Sequence, residues 1–522
     1  MKDGHGCDRG ATNFRISKES LPAVTNEHFD PAHNDIKRHV TSGVFNSSLV
    51  QIVKFICQIG TVVILSRLLP PTDFGLLAMV NPVIGFAVLF QSLGLSQATV
   101  QRTTLTHDEV NAIFWINLAV GLALALALAA LSPVVGWYYG DRRVVLLTAA
   151  MAGLVFTGSL GNQHGTLLQR RMQFSTLALI DVVGTVSALA TSIVCALIFK
   201  NYWALYFGTV VGNVFPVIGT WMASKWRPSL PRRVSGLRDM VMFGAGVTSF
   251  GFTNFFARNL DNILIGRAWG GQALGFYDRA YKLMLLPLQR MVLPLENVMI
   301  PLLARIMDDS ERYRRVYLKV LAQLVLAVWP GILWALILAD TLIPSLLGPS
   351  WTSAVGIFQP LAVVGLIQVV NSTAYWLFVS QGRAGDFARW GVVNAVSCVI
   401  AFVVGLPYGA QGVAIAYAIG EILCTPFLWW YVTRRGPVRA GHVGRAIAPQ
   451  FFSGIISALA LWGFRDVLSG NPWWLLLTGG LFMAYATTGL VMLVFSGGRD
   501  ILKETMLFLR GSFLQLTLRR KA

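Results

Sequence analysis

The sequence predicts an all-α polytopic membrane protein of about fourteen transmembrane helices, and three observations carry that prediction. The chain of 522 residues is 55% hydrophobic and only 13% charged, with a mean hydropathy of +0.61; a soluble domain averages roughly 45–50% apolar and about 25% charged. The apolar residues come in runs near the ~20 that a spanning helix needs. In hydrocarbon the backbone must be satisfied within its own segment or in a closed barrel, and runs this long mean helices. Most soluble enzymes, nucleic-acid binders and secreted disulfide scaffolds are excluded, despite a net charge of +18 and a pI near 10.0.

Taken in order, residues 1–43 are hydrophilic, contain no apolar segment that could act as a cleavable signal, and read as a disordered cytoplasmic tail. Six apolar runs follow in residues 44–224: Val44 to Leu68, Phe74 to Leu93, Asn111 to Leu131, Val144 to Leu160, Phe174 to Ile198 and Tyr202 to Ser224. A basic linker, 225–241, separates them from a second six in 242–432: Met242 to Ile265, Tyr281 to Ile306, Val316 to Ala339, Val355 to Val379, Trp390 to Leu406 and Val413 to Val432. Residues 433–495 hold another linker and two more runs, Ile447 to Phe464 and Trp473 to Phe495. From 496 to 522, Arg and Lys alternate with Leu and Phe as in an interfacial amphipathic helix.

Alternate loops differ sharply in charge. One set holds Arg170, Arg171, Arg227, Arg232, Arg233, Arg312, Arg314, Arg315, Arg383, Arg434, Arg435 and Arg439; the other has few basic residues, chiefly Arg142, Arg143, Lys200, Arg267 and Arg465. The positive-inside rule puts the rich set and both termini in the cytoplasm. Topology, not nucleic-acid binding, accounts for these charges. Reporter fusions after Arg233 and Arg439 should therefore report the cytoplasm, and one after Gly348 the periplasm; a periplasmic signal at Arg233 would overturn the scheme.

An internal repeat appears at an offset of 200 residues. Ser66-Arg67 followed by Gly75 matches Gly266-Arg267 followed by Gly275, each after the first helix of its group. A weaker echo pairs Gln169-Arg170-Arg171 with Gln381-Gly382-Arg383. Two bundles repeated in one orientation place a substrate path at their interface.

The helices that open the two groups carry polar stripes. Ser47, Gln51, Lys54, Gln58 and Thr61 fall on one face of the first helix, and Asn254, Arg258 and Asp261 on one face of the seventh. Charge near the bilayer centre costs at least ~2.5–3.5 kcal/mol, so such residues face a bundle interior or a watery cavity. Lys54, Gln58, Asn254, Arg258 and, from the eighth helix, Arg290 are thus candidate substrate-binding residues. Arg258 and Asp261 could also simply pair with each other, and Lys54 could snorkel.

In the eighth helix Pro287, Pro294 and Pro301 recur every seven residues, marking a candidate hinge. Gln289 with Glu296 and Arg290 with Asn297 form neighbouring polar stripes on it. Asp261, Glu296, Asp181 and Glu421 are candidate ion-coupling carboxylates, each with the alternative of a buried acid kept neutral. Cys57, Cys195, Cys398 and Cys424 lie in apolar runs without metal-ligand spacing, so neither a disulfide nor a metal site is expected. No GxSxG, P-loop or HExxH is present.

Several stretches resemble the polysaccharide transporter (Wzx-type) family of the multidrug/oligosaccharidyl-lipid/polysaccharide flippase superfamily, closest to its WzxC-like branch. They are Ser66-Arg67-Leu68-Leu69-Pro70-Pro71-Thr72-Asp73-Phe74-Gly75, the segment Ala257 to Arg267, Leu274-Gly275-Phe276-Tyr277-Asp278-Arg279-Ala280-Tyr281, and Tyr408 to Ala414. The resemblance implies two six-helix lobes in a V shape with two extra C-terminal helices. It implies a non-enzymatic flippase for undecaprenyl-pyrophosphate-linked glycan in a bacterial inner membrane, without a cofactor and driven by a proton or sodium gradient. Membrane lipid, a polysaccharide polymerase and chain-length machinery are the partners it implies. Arg258 and Asp261 lie in the motif itself, whereas Lys54 and Glu296 rest on the stripes alone. A drug or cation antiporter of the same superfamily would favour acidic cavity residues, a membrane glycosyltransferase would need a large charged outer loop, and a lipid-linked peptidoglycan precursor flippase is the nearest alternative within transport.

Overall fold

The computed structural model describes residues 36–91, 99, 106–230, 237–467, 471–495 and 497–503, with the side chains of 36–49, 52, 237–254 and 256–258 outside that description. The tail before Ile36, the linker at 231–236 and the end from 504 onward likewise lie outside it.

Among the described residues every regular element is helical. The first lobe runs α1 (Ile36–Leu68), α2 (Pro71–Gln91), α3 (His107–Tyr139), α4 (Arg142–Arg170), α5 (Phe174–Phe199) and α6 (Trp203–Ser224). The second opens with the helical run Leu237–Pro287, which bends at Gly270 (φ 77°, ψ −177°) into α7 (237–269) and α8 (271–287). A π-helical turn, Leu288–Val292, carries α8 into α9 (Leu293–Arg305). There follow α10 (Ser310–Ile337), the short α11 (Ala339–Leu347), a 3-10 turn Pro349–Ala354, α12 (Val355–Asn371), α13 (Thr373–Ser380), α14 (Ala384–Gly405) and α15 (Gly409–Thr433). Helices α16 (Ala440–Val467) and α17 (Trp473–Val494) pair with each other and pack on α10.

Eleven stretches are long and apolar enough to cross a membrane. Two of them, Asn259–Arg305 and Ala384–Thr433, are each long enough for two spans, and α1 adds one more, giving fourteen. Leu126, Ile198, Val396, Ile400, Phe427 and Trp462 are among many large apolar side chains left exposed, as a lipid-facing surface requires. The chain is a multi-pass membrane protein.

Helix ends follow local chemistry. Thr106 and Glu109 form a reciprocal capping box at the start of α3, a motif worth about 1 kcal/mol. Asp141 caps α4 through the Arg143 backbone N–H at 2.9 Å. The Arg143 guanidinium holds that carboxyl below its ordinary range, against the opposing effect of burial. Helix α1 already includes Ile36, ahead of the apolar run at Val44, so the polar residues between them are helical.

The 200-residue repeat acquires a structural meaning where the lobes meet. At one end of the bundle, α2 and the start of α8 cross so closely that a Cβ on Gly75 would lie 1.7 Å from the Gly271 carbonyl oxygen. One on Gly275 would lie 2.0 Å from that of Pro71. Pro71 and Gly75 are the repeat equivalents of Gly271 and Gly275, so this is a two-fold crossing of equivalent segments. The paired arginines also reach across. Arg67 Nε donates to the Leu346 carbonyl at 3.1 Å and its Nη2 to that of Ser345, while Arg267 lies over the Tyr138 ring at 5.8 Å. Trp351 fills the join: its Nε1 donates to the Ser66 carbonyl at 2.7 Å, and its ring meets Phe74 at 5.4 Å and Phe276 at 5.9 Å. Phe74, Trp351 and Tyr277 are fully buried, so this end of the interlobe space is sealed.

The weaker echo is structural too. Arg171 Nη1 bonds the Ser224 carbonyl at 2.9 Å and Arg383 Nη1 the Val432 carbonyl at 2.7 Å, so each closes the last turn of the sixth helix of its lobe.

Candidate functional site

Between the lobes, the stripe on α1 meets the π-helical turn that follows α8. Pro294 has no N–H to give to the Arg290 carbonyl four residues back, and the Leu293 N–H bonds five residues back to Leu288. The resulting π-turn lies between Pro287 and Pro294, and Arg290 stands in its middle. Such turns recur at functional sites because they re-aim one side chain out of helical register.

Arg290 points at the other lobe. Its Nη2 donates to Gln58 Oε1, its Nη1 lies 3.4 Å from Gln51 Oε1, and its guanidinium is 5.4 Å from the Phe55 ring. Its Nε is buried and has no partner. No carboxylate stands within ion-pair range of it among the described residues. This is a cation stabilised by amides and a ring face, with bonding capacity left over.

Lys54, also on the stripe, is paired with Asp181 of α5. Lys54 Nζ lies 2.8 Å from Asp181 Oδ2, with the side chains 25% and 53% exposed. A candidate substrate cation and a candidate ion-coupling acid thus neutralise each other between α1 and α5. If the pair is structural, the exchanged variant Lys54→Asp/Asp181→Lys should restore export lost in either single change. Failure of the double variant, with protein present in the membrane, would return Lys54 to the substrate path.

Asp261 is fully buried in the second lobe. It accepts from the Tyr277 hydroxyl at 3.0 Å and from the Asn262 backbone N–H at 2.8 Å. The bend at Gly270 brings Tyr277 back to it. The side chains of Asn254 and Arg258 lie outside the described residues.

Glu421 is buried on α15, beside Tyr417, Asn371 and Gln368. Gln368 Nε2 also donates to the Tyr417 hydroxyl at 2.7 Å, and Trp429 Nε1 to Asn371 Oδ1 at 3.1 Å. A narrow crevice beside Glu421 is bounded by Asn394, Ser397 and Cys398. Glu296 is half-buried on α9, which packs against α13 and is apart from these clusters. Pro301 lies inside α9 without a π-turn of its own.

Sequence reasoning did not single out Phe55, Tyr277, Gln368, Asn371 or Tyr417. Phe55 follows Lys54 on α1, and its role depends on a residue more than 200 positions away. The polar residues of α12, one helical turn apart at 368 and 371, did offer a readable stripe.

Comparison with known proteins gives a consistent answer. A family model described as "Polysaccharide biosynthesis protein" matches residues 64–356. The chain is 23% identical over 399 residues to the lipopolysaccharide biosynthesis protein WzxC of Escherichia coli K12, covering 75% of this chain and 80% of WzxC. It is 27% identical over 357 residues to the teichuronic acid biosynthesis protein TuaB of Bacillus subtilis 168, covering 68% and 74%. Among solved structures, the lipid II flippase MurJ in an inward closed conformation superposes with a TM-score of 0.72 at 11% identity, over 87% of this chain and 99% of that one. An inward-facing multidrug resistance MATE transporter superposes with a TM-score of 0.54 at 14% identity, over 73% and 94%. These two likenesses establish the fold. With more than half its length matched by the family model, the chain belongs to the polysaccharide biosynthesis protein family.

Proposed function

We propose that the chain is a flippase that moves undecaprenyl-pyrophosphate-linked oligosaccharide from the cytoplasmic to the periplasmic leaflet of a bacterial inner membrane, for exopolysaccharide or lipopolysaccharide biosynthesis. The observation that supports it best is Arg290, an uncompensated guanidinium held between the lobes. A glycan and a diphosphate cannot cross hydrocarbon unaided. A guanidinium with free N–H groups offsets diphosphate charge and matches its oxygens in pairs, while the prenyl chain stays in lipid beside the lobes.

In this reading the basic ends of the helices face the cytoplasm and the sealed crossing faces the periplasm. The protein carries the substrate without altering it, needs no cofactor, and works beside a polymerase and chain-length machinery. A proton or sodium gradient drives the cycle through Asp261 and Glu421, with the π-turn between Pro287 and Pro294 as the bending element. Binding of the diphosphate at Arg290 favours one of two states separated by a few kcal/mol.

The test is complementation of bacterial strains that each lack one defined repeat-unit flippase. Restored surface polymer in at least one such strain is expected. Rescue only of a strain lacking its peptidoglycan precursor flippase would reassign the substrate, and drug resistance without polymer would replace the glycan by a drug.

A further inference from the structure

The basic end of the second lobe gathers more charge than its fold uses. Arg383 donates from Nε to Asp386 Oδ2 at 3.1 Å and from Nη1 to the Val432 and Arg435 carbonyls at 2.7 and 3.1 Å. Its side chain is only 11% exposed, so this buried pair neutralises itself while closing the end of α15. In the first lobe, the corresponding contact to the sixth helix is made by Arg171 without an acidic residue at the start of α5.

Three further guanidiniums nonetheless surround the same carboxylate: Arg434 at 3.4 Å, Arg389 at 3.8 Å and Arg435 at 3.9 Å. These separations exceed the roughly 2.7–2.9 Å of a charge-assisted hydrogen bond. Asp386 Oδ1 also accepts from the Tyr431 hydroxyl at 3.2 Å and from Arg434 Nη2 at 3.4 Å. One negative charge therefore faces four positive ones. Like charges gathered this closely repel unless an anion joins them.

The surroundings indicate which anion. Next to the cluster, Val392, Val393 and Val396 on α14 and Phe427 and Trp430 on α15 are exposed and apolar, a face suited to lipid. At its border the Trp390 ring stacks on Tyr431 at 6.1 Å, and the Arg434 guanidinium lies 4.0 Å over the Tyr431 ring. Trp and Tyr favour the headgroup level of a bilayer. Arg389 and Arg435, 78% and 70% exposed, project from the same rim.

We propose that Arg389, Arg434 and Arg435 form a binding site for the headgroup phosphate of an anionic phospholipid, at the bilayer border of α14 and α15. The phosphate takes the N–H groups that Asp386 cannot satisfy, and the acyl chains lie along the exposed valines of α14. The site is separate from Arg290 and does not depend on which glycan crosses.

Native mass spectrometry of the full-length protein in an equal mixture of phosphatidylglycerol, phosphatidylethanolamine and undecaprenyl phosphate tests this. Selective retention of phosphatidylglycerol is expected, falling about 30-fold in Arg389→Gln/Arg435→Gln from the loss of two interfacial charges. Arg389→Lys should keep it, and both variants should melt near the wild-type temperature, since Arg383 still pairs with Asp386. Equal retention of the two phospholipids, or unchanged retention in the double variant, would overturn the site. Undecaprenyl phosphate retained in place of phosphatidylglycerol would overturn the phospholipid assignment and make this rim a carrier-lipid surface. Should the double variant fail to fold, Arg389→Gln alone, at the most exposed position, decides in the same way.

Discussion

Arg290→Ala is expected to abolish polymer export while leaving protein in the membrane at near-normal levels. The guanidinium offers a diphosphate its charge and the Nη N–H groups that Gln51 and Gln58 leave free, and hydrogen bonds to charged groups contribute about 1.5–3 kcal/mol each, so loss of two should lower transport by about a hundred-fold or more. Stability should not fall with it. An unpaired cation at membrane depth costs at least ~2.5–3.5 kcal/mol on insertion scales, and truncation relieves that cost. Arg290→Lys should retain part of the activity, because it keeps the charge but not the planar fork. Loss of folded protein in parallel with activity would instead make Arg290 a structural strut between α1 and the π-turn.

The second large effect concerns the glycine crossing. In Gly75→Ala the new Cβ would stand 1.7 Å from the Gly271 carbonyl oxygen, and in Gly275→Ala 2.0 Å from that of Pro71. Backbone cannot yield as a flexible side chain does, so the two helices must move apart by more than an ångström. Overpacking of this kind costs about 1–3 kcal/mol, here charged entirely to the sealed state. The outer seal should therefore open. Ser66→Cys, buried beside Trp351, should react roughly ten-fold faster with a membrane-impermeant maleimide added outside when Gly75→Ala is present, and transport should fail. Unchanged labelling with full transport would show that the crossing does not gate the path.

Much of this architecture is legible in the sequence. Apolar runs and loop charge gave the helices and their grouping, because each depends on residues near in sequence. The match of Gly75 to Gly275 was visible as a repeat, but its reason was not: the pairs that meet are Gly75 with Gly271 and Gly275 with Pro71, across the lobes. The stripe on α1 pointed to Gln58 and Lys54, yet could not say that Lys54 turns to Asp181, 127 positions on, while Gln58 meets Arg290, 232 positions on. One stripe thus divides between an internal ion pair and an interlobe contact. Asp261 shows the same limit on a shorter scale. Its partner Tyr277 is 16 residues away and adjacent only because the chain bends at Gly270. The heptad of prolines was equally readable, but only Pro294 is followed back to a slipped hydrogen bond and a π-turn, since that outcome depends on how α8 packs against its neighbours.

Direct transport in a defined system tests the central claim. The purified protein would be placed in liposomes with a fluorescently labelled undecaprenyl-pyrophosphate oligosaccharide confined to one leaflet, and the label's exposure to a membrane-impermeant quencher followed with time. The account predicts rapid equilibration between leaflets with the wild type, and rates near those of protein-free liposomes with Arg290→Ala. Equal rates for wild type and Arg290→Ala, or no transfer by wild-type protein under either a proton or a sodium gradient, would contradict it.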